Sequence, residues 1–104
     1  MADAVPFEID VNTLKTYQDM HKDHIVLDVR EPAEIAAVAF EGALEIPMGE
    51  IPQHVDDIPT DKTVVVLCRI GGRSMQVTGW LRQHGFDNVT NLRGGIEAWL
   101  ESNR

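Results

Sequence analysis

The sequence predicts an α/β fold in which a parallel sheet of five strands is covered by helices on both faces. Short apolar segments alternate with helical patterns along the chain, and this order is typical of a parallel sheet. The segment 63–67 ends in four consecutive apolar residues, as expected for a central strand buried on both faces. A chain of 104 residues that is 43% hydrophobic is suited to one domain, which we expect to span residues 1–104.

Each strand is predicted from a short apolar or alternating segment that ends in a turn signal. Phe7 and Ile9 alternate with a charged residue, and three apolar residues precede Asp28. Pro47 closes the third segment, because proline lacks the N–H group that a sheet ladder needs. The predicted strands are residues 7–9, 25–27, 43–47, 63–67 and 88–92.

The helices are predicted from residues that favour helix ends. Asp10 or Asn12 is placed to cap the first helix, Pro32 suits a first helical turn, and Gly85 is placed to end a helix. The predicted helices are residues 13–20, 31–37, 74–84 and 96–102, with one further helical turn within 49–55.

Apolar spacing predicts which helix faces are buried. Val77, Trp80 and Leu81 share one stripe of the helix 74–84. Trp99 and Leu100 are expected to face inward from the last helix.

The composition argues against several classes of protein. The longest apolar run, residues 35–40, is far too short to cross a bilayer. The formal charge of −8 argues against nucleic acid or an anionic membrane as a partner. The single cysteine cannot form an internal disulfide, and residues 1–6 do not resemble a signal peptide. We therefore expect a cytoplasmic protein, unless a transit peptide once preceded Met1.

The loop that follows the segment 63–67 has the features of a reactive cysteine. It reads Cys-Arg-Ile-Gly-Gly-Arg-Ser over residues 68–74. The glycines allow backbone N–H groups to converge, Arg69 and Arg73 add positive charge, and the helix start adds its dipole. All three favour a thiolate at Cys68, whereas a cysteine that serves only as a small buried apolar residue needs none of them.

This loop resembles the active-site loop of the rhodanese-type sulfurtransferases. Three further segments are similar to motifs of that family, in the same order and over nearly the whole chain: Asp28-Val29-Arg30 with Glu34, Gly42-Ala43 with Ile46-Pro47, and Leu92-Arg93-Gly94-Gly95 with Ala98-Trp99. The resemblance implies a rhodanese-like five-stranded parallel sheet with helices on both faces.

The resemblance also implies a two-step sulfur transfer. The Cys68 thiolate would take the outer sulfur of thiosulfate or a related anion, and the resulting persulfide would pass that sulfur to cyanide, to a small thiol or to a protein acceptor. Neither a cofactor nor a metal is expected. The donor-binding residues implied are Arg69, Ile70, Gly71, Gly72, Arg73 and Ser74, and the supporting residues are Asp28 and Arg30.

Two features of the loop refine this expectation. Arg73 is expected to brace the loop as well as attract the donor, so that Arg69 is the better candidate for direct contact with the donor. Ile70 offers no charge to an anion, and the sequence therefore leaves the natural donor open.

The segment 38–41, Val-Ala-Phe-Glu, departs from the Gly-His-Ile-Pro of many family members, and we expect its turn to be built differently without loss of activity.

Two other functions remain as alternatives. Related cysteine-dependent phosphatases and arsenate reductases use a loop with five residues between cysteine and arginine, whereas Cys68 and Arg73 enclose four. The shorter loop favours a single sulfur atom over a tetrahedral oxyanion. A persulfide carrier or binding module that serves a protein partner is the other alternative, although the intact cysteine loop argues against an inactive module.

Overall fold

The computed structural model of the chain describes residues 5–104; residues 1–4, part of the segment compared with a signal peptide, lie outside the described residues. The strands are β1 Glu8–Ile9, β2 His24–Asp28, β3 Leu44–Glu45, β4 Thr63–Leu67 and β5 Val89–Leu92. The helices are α1 Val11–Asp19, α2 Pro32–Ala37, α3 Gly72–Gln83 and α4 Gly95–Ser102, with 3₁₀ helices at Met48–Gln53 and Val55–Asp57. No helix within residues 5–104 is long and apolar enough to cross a membrane.

The five strands form one parallel sheet in the order β1-β5-β4-β2-β3. The most apolar strand, β4, lies at the centre, where Val65 pairs with Val26 of β2 and Thr90 of β5. The predicted α/β fold with a five-stranded parallel sheet is therefore confirmed. The predicted strand 63–67 also has the observed limits, because a strand buried on both faces is marked by a continuous apolar run.

Alternate side chains of β4 contribute to two hydrophobic cores, one on each face of the sheet. One core includes Val64, Val66 and Cys68 together with Val77 and Leu81 of α3. The opposite core includes Val65 and Leu67 together with Leu14 of α1 and Ile96 of α4. The cysteine therefore lies at the carboxyl end of the central strand, on the face that α3 covers.

The predicted helix ends are mostly observed. Asp10, and not Asn12, caps α1, since its side chain accepts a hydrogen bond from the Thr13 N–H at 2.9 Å. Pro32 lies in the first turn of α2. Gly85 follows α3 with a left-handed φ of 93°, and the N–H of Phe86 reaches back across the helix end to a carbonyl in the last turn.

Several details of the predicted helices are wrong. Helix α1 begins at Val11, not at residue 13. Helix α3 begins at Gly72, not at residue 74, because Gly71 adopts a left-handed φ of 112° and turns the chain directly from the loop into the helix. Leu100 does not face inward but is 45% exposed. Ile96 and Trp99 are three residues apart and share the buried face of α4, so the next position is rotated out of it.

Candidate active site

The predicted reactive loop connects β4 to α3, and Cys68 lies at its base. The Cys68 side chain is only 1% exposed, whereas Ile70 is 64% exposed and Arg69 projects into solvent. The cysteine is thus held from below by the core, and the exposed part of the loop lies above it.

Two polar groups of the loop contact the Cys68 sulfur directly. The Gly71 backbone N–H lies 3.0 Å from Sγ, and the Ser74 hydroxyl oxygen lies 3.2 Å from it. Burial raises the pKa of the Cys68 thiol, but hydrogen bonds from the Ser74 hydroxyl and from the N–H groups of Ser74, Gly71 and Ile70 outweigh it. The pKa of Cys68 is therefore lowered, which favours the nucleophilic thiolate.

The first turn of α4 fixes the orientation of the loop backbone. The N–H of Ile96 donates to the Cys68 carbonyl at 2.9 Å, and the N–H of Glu97 donates to the Arg69 carbonyl at 3.1 Å. In a trans peptide the C=O and the following N–H point in opposite directions. With the Arg69 carbonyl directed at α4, the N–H of Ile70 is directed to the other side of the same peptide, where it helps to stabilise the thiolate.

Glycines allow this close approach between the loop and α4. A Cβ atom on Gly95 would lie 2.5 Å from the carbonyl oxygens of both Cys68 and Arg69. A Cβ on Gly71 would lie 3.3 Å from the Gly94 nitrogen. Gly94 and Gly95 were not among the site residues predicted from the sequence, although a glycine pair directly before a helix is a signal of close backbone contact.

A bidentate ion pair joins Arg73 to α2. Its Nη1 and Nη2 atoms lie 2.6 and 2.8 Å from the two carboxylate oxygens of Glu34. Hydrogen bonds from the Arg73 side chain, more than any other contact, lower the pKa of Glu34 to about 2. Because both terminal nitrogens of the guanidinium are held, Arg73 joins the start of α3 to α2.

Arg69 also has a carboxylate partner, but on the solvent side of the loop. Its Nε atom lies 2.7 Å from Oε2 of Glu97, and both side chains are more than half exposed. The sequence predicts two arginines whose charges are available to the thiolate and the donor. In the structure each of them is paired, so backbone N–H groups and Ser74 make the direct contacts to the sulfur.

The expected supporting residues form a buried ion pair at the end of β2. Arg30 Nη2 lies 2.7 Å from Asp28 Oδ2, and its Nε lies 3.0 Å from Oδ1. The same guanidinium donates to the Val38 carbonyl at 2.9 Å. Asp28 and Arg30 therefore secure the segment after α2, in which Phe40 is buried against Trp99. Within the segment 38–41, which departs from the family pattern, Phe40 alone is buried, and the other three residues are exposed.

A polar network behind Ser74 was not predicted from the sequence. The Ser74 hydroxyl lies 2.5 Å from Oδ1 of Asn91 on β5, and the Asn91 amide nitrogen lies 2.8 Å from Oε2 of Glu8 on β1. Ser74 and Asn91 are both fully buried. An asparagine within a buried strand was the available signal, since a buried amide requires partners.

Fold and loop together define a class of α/β proteins that carry a cysteine of lowered pKa at the carboxyl end of a central parallel strand. Residues 11–102 match the rhodanese-like domain family. The chain belongs to this family.

Several known proteins are similar to this chain over most of their length. A sulfurtransferase of Allochromatium vinosum is 45% identical over 92 residues, which cover 88% of this chain and 86% of the relative. The putative sulfurtransferase YtwF of Bacillus subtilis is 38% identical over 92 residues, which cover 88% of each of the two chains. The crystal structure of a rhodanese-related protein from Thermoplasma volcanium superposes with a TM-score of 0.84, at 30% identity and 93% coverage of both chains.

Replacing Ser74 by alanine tests the hydroxyl contact to the sulfur. At a fixed pH below the pKa of the thiol, we expect Ser74→Ala to react roughly fivefold more slowly with iodoacetamide, the factor that corresponds to one hydrogen bond. The alkylation rate reports the thiolate fraction of Cys68. Thr78→Val is the matched control, because within residues 5–104 the Thr78 hydroxyl bonds only the Ser74 carbonyl in the same helix. An unchanged rate in Ser74→Ala would contradict the contact.

The Glu34–Arg73 pair predicts a pH-dependent contribution to stability. A carboxyl whose pKa is lowered from 4.5 to about 2 stabilises the fold above pH 4.5 and loses this effect as the pH falls toward 2. Because both side chains are about one third exposed, we expect Glu34→Gln to lower the free energy of unfolding by only about 1 kcal/mol at pH 7.

Denaturant unfolding at several pH values measures this contribution. The difference between wild type and Glu34→Gln is expected to be constant above pH 5 and to shrink below pH 4.5, while the exposed Glu41→Gln control differs little from wild type at any pH. A difference that does not change between pH 7 and pH 3 would show that the ion pair is not its source.

Proposed function

We propose that this protein is a sulfurtransferase that moves a sulfane sulfur from thiosulfate, or a related anionic donor, through a persulfide on Cys68. The observation that carries the proposal is the convergence of the Gly71 N–H and the Ser74 hydroxyl on Sγ. Membership of the rhodanese-like family and the similarity to named sulfurtransferases support it.

In the first step the Cys68 thiolate attacks the outer sulfur of the donor. A bond forms between Sγ and that sulfur, the S–S bond of thiosulfate breaks, and its electron pair leaves with sulfite. The total charge is unchanged, because the persulfide keeps one negative charge on its outer sulfur. The N–H groups of the loop are suited to hold this anion, since backbone donors that converge on one point bind negative charge without a side-chain base.

In the second step an external acceptor takes the sulfur. A thiolate or cyanide attacks the outer sulfur, and the Cys68 thiolate leaves with the electron pair of the S–S bond. Cys68 is the only cysteine of the chain, so no second thiol of this sequence could resolve the persulfide. The scheme has two covalent half-reactions and predicts ping-pong kinetics.

The two arginines have different proposed roles. Arg73 is fixed by two hydrogen bonds to Glu34 and braces the loop. Arg69 has a single bond to the exposed Glu97 and is freer to exchange this partner for an anionic donor. This difference supports Arg69 as the residue that contacts the donor more directly.

A protein acceptor is the second candidate that the structure favours. Ile70 and Met75 are 64% and 46% exposed and lie at the loop and in the first turn of α3. Two exposed apolar side chains near a sulfur-loading cysteine are suited to contact with a partner protein more than to contact with a small anion. In this variant of the function the protein is a persulfide carrier whose acceptor thiol belongs to a partner.

A phosphatase or arsenate reductase is the alternative that the loop argues against. The four residues between Cys68 and Arg73 leave a smaller cradle than the five of those enzymes. Purified protein that hydrolyses a generic phosphate ester faster than it transfers sulfur from thiosulfate to cyanide would overturn the choice.

The cysteine itself gives the most direct mutational test. We expect Cys68→Ser to abolish thiosulfate:cyanide transfer, because serine is not a comparable nucleophile toward sulfur, while the free energy of unfolding changes little. Transfer is measured as thiocyanate formed, and stability by denaturant unfolding. Wild-type activity in the folded Cys68→Ser variant would rule out the mechanism.

A further inference from the structure

A chain of hydrogen bonds connects the Cys68 sulfur to a charged pair at the edge of the sheet. Arg93 Nε lies 3.1 Å from Glu8 Oε1, and Asn91 Nδ2 lies 2.8 Å from Glu8 Oε2. The Ser74 hydroxyl oxygen lies 2.5 Å from Asn91 Oδ1 and 3.2 Å from Cys68 Sγ. Asn91 and Ser74 are fully buried, so these groups have no water with which to exchange partners.

Glu8 fixes which way the Asn91 amide points. Hydrogen bonds from Asn91 and then from Arg93 lower the pKa of Glu8, so that it is a carboxylate at neutral pH and can only accept. It therefore holds the Asn91 NH₂ group, and the amide oxygen is left facing Ser74. An amide oxygen also only accepts, so in the contact between Ser74 and Asn91 the Ser74 hydroxyl must be the donor.

The Ser74 hydroxyl has one proton and several acceptors. Besides Asn91 Oδ1, these are Cys68 Sγ at 3.2 Å and the Gly71 carbonyl oxygen at 3.2 Å. When Sγ carries a negative charge, it attracts the proton, and the buried Asn91 oxygen loses its partner at a cost in free energy. When Sγ is a thiol or is bonded to a second sulfur, the charge is absent from Sγ and the hydroxyl returns to Asn91.

We propose that Asn91 is a positioning residue that competes with Cys68 Sγ for the Ser74 proton and so limits how strongly the thiolate is stabilised. Asn91 does not touch the reacting atoms and acts through Ser74. On the proposed function, the same competition favours the sulfur-loaded state, because the negative charge moves from Sγ to the outer sulfur when the persulfide forms.

Three ion pairs lie on the elements around the cysteine. They come from α2, the loop, α4 and the end of β2, and they are the ion pairs Arg73–Glu34, Arg69–Glu97 and Arg30–Asp28. A substitution of Asn91 leaves all three intact. A change in thiolate reactivity in that variant therefore reports on the network through Ser74.

The Asn91→Leu variant tests the competition, since leucine has a similar shape and no acceptor. At a fixed pH below the pKa of the thiol, we expect roughly fivefold faster alkylation of Cys68 by iodoacetamide, the factor for one hydrogen bond. In a Ser74→Ala background the same substitution is expected to have no effect. Asn88→Leu is the matched control, because the Asn88 amide bonds the Pro59 and Lys62 carbonyls at the other end of β5.

A second variant covers the case in which Asn91→Leu does not fold. Glu8→Ala frees the Asn91 amide to flip and to donate to Ser74, so alkylation is again expected to be faster. Glu8→Gln keeps an acceptor for the Asn91 NH₂ group, and its Cys68 is expected to be alkylated at close to the wild-type rate.

Two results with Asn91→Leu would overturn the proposal: unchanged or slower alkylation of Cys68, or the same acceleration in the Ser74→Ala background. If Asn91→Leu does not fold, unchanged or slower alkylation in Glu8→Ala would overturn it. Alkylation needs no sulfur donor, so this test stands apart from the proposed function. A protein that forms no persulfide would refute the sulfurtransferase proposal and leave the alkylation result valid.

Discussion

The hydrogen bonds from the first turn of α4 to the carbonyls of Cys68 and Arg69 are the constraint on which the site depends. By holding these carbonyls on one side, they direct the Ile70 N–H to the other side of the same peptide, where it helps to stabilise the Cys68 thiolate. They require Gly95, since any Cβ there would collide with both carbonyl oxygens. Helix α4 thereby sets the geometry of a loop whose Arg69 lies 28 residues before Glu97 in the sequence.

The charges around the site are used for structure more than for direct stabilisation of the sulfur. Arg73 is engaged by Glu34 and Arg69 by Glu97, so the net charge beside the thiolate is smaller than the sequence alone indicates. The pKa of Cys68 is nevertheless lowered, because the Ser74 hydroxyl and fixed backbone N–H groups outweigh the effect of burial. Such a site is preorganised, because its donors are held by secondary structure and need not rearrange as charge moves between two sulfur atoms.

Local signals in the sequence made much of the fold predictable. Contacts between distant segments could not be predicted in this way. The central strand, the Cys68 loop after it and the Asp10 cap follow from short patterns in which neighbouring residues carry the information. The inward orientation predicted for Leu100 was wrong, because the phase of a short helix depends on what it packs against. The roles of Gly95 and Asn91 depend on contacts with segments that are remote in sequence. The spacing of residues within one helix or strand does not predict such contacts.

The mass of the intact protein tests most directly whether this loop loads a single sulfur atom onto Cys68. Protein incubated with thiosulfate and freed of excess donor should gain ~32 Da, one sulfur atom. A thiol reductant should reverse the gain, and Cys68→Ser should not show it. No gain with thiosulfate or any other sulfane sulfur donor, in protein whose Cys68 still reacts with iodoacetamide, would contradict the account.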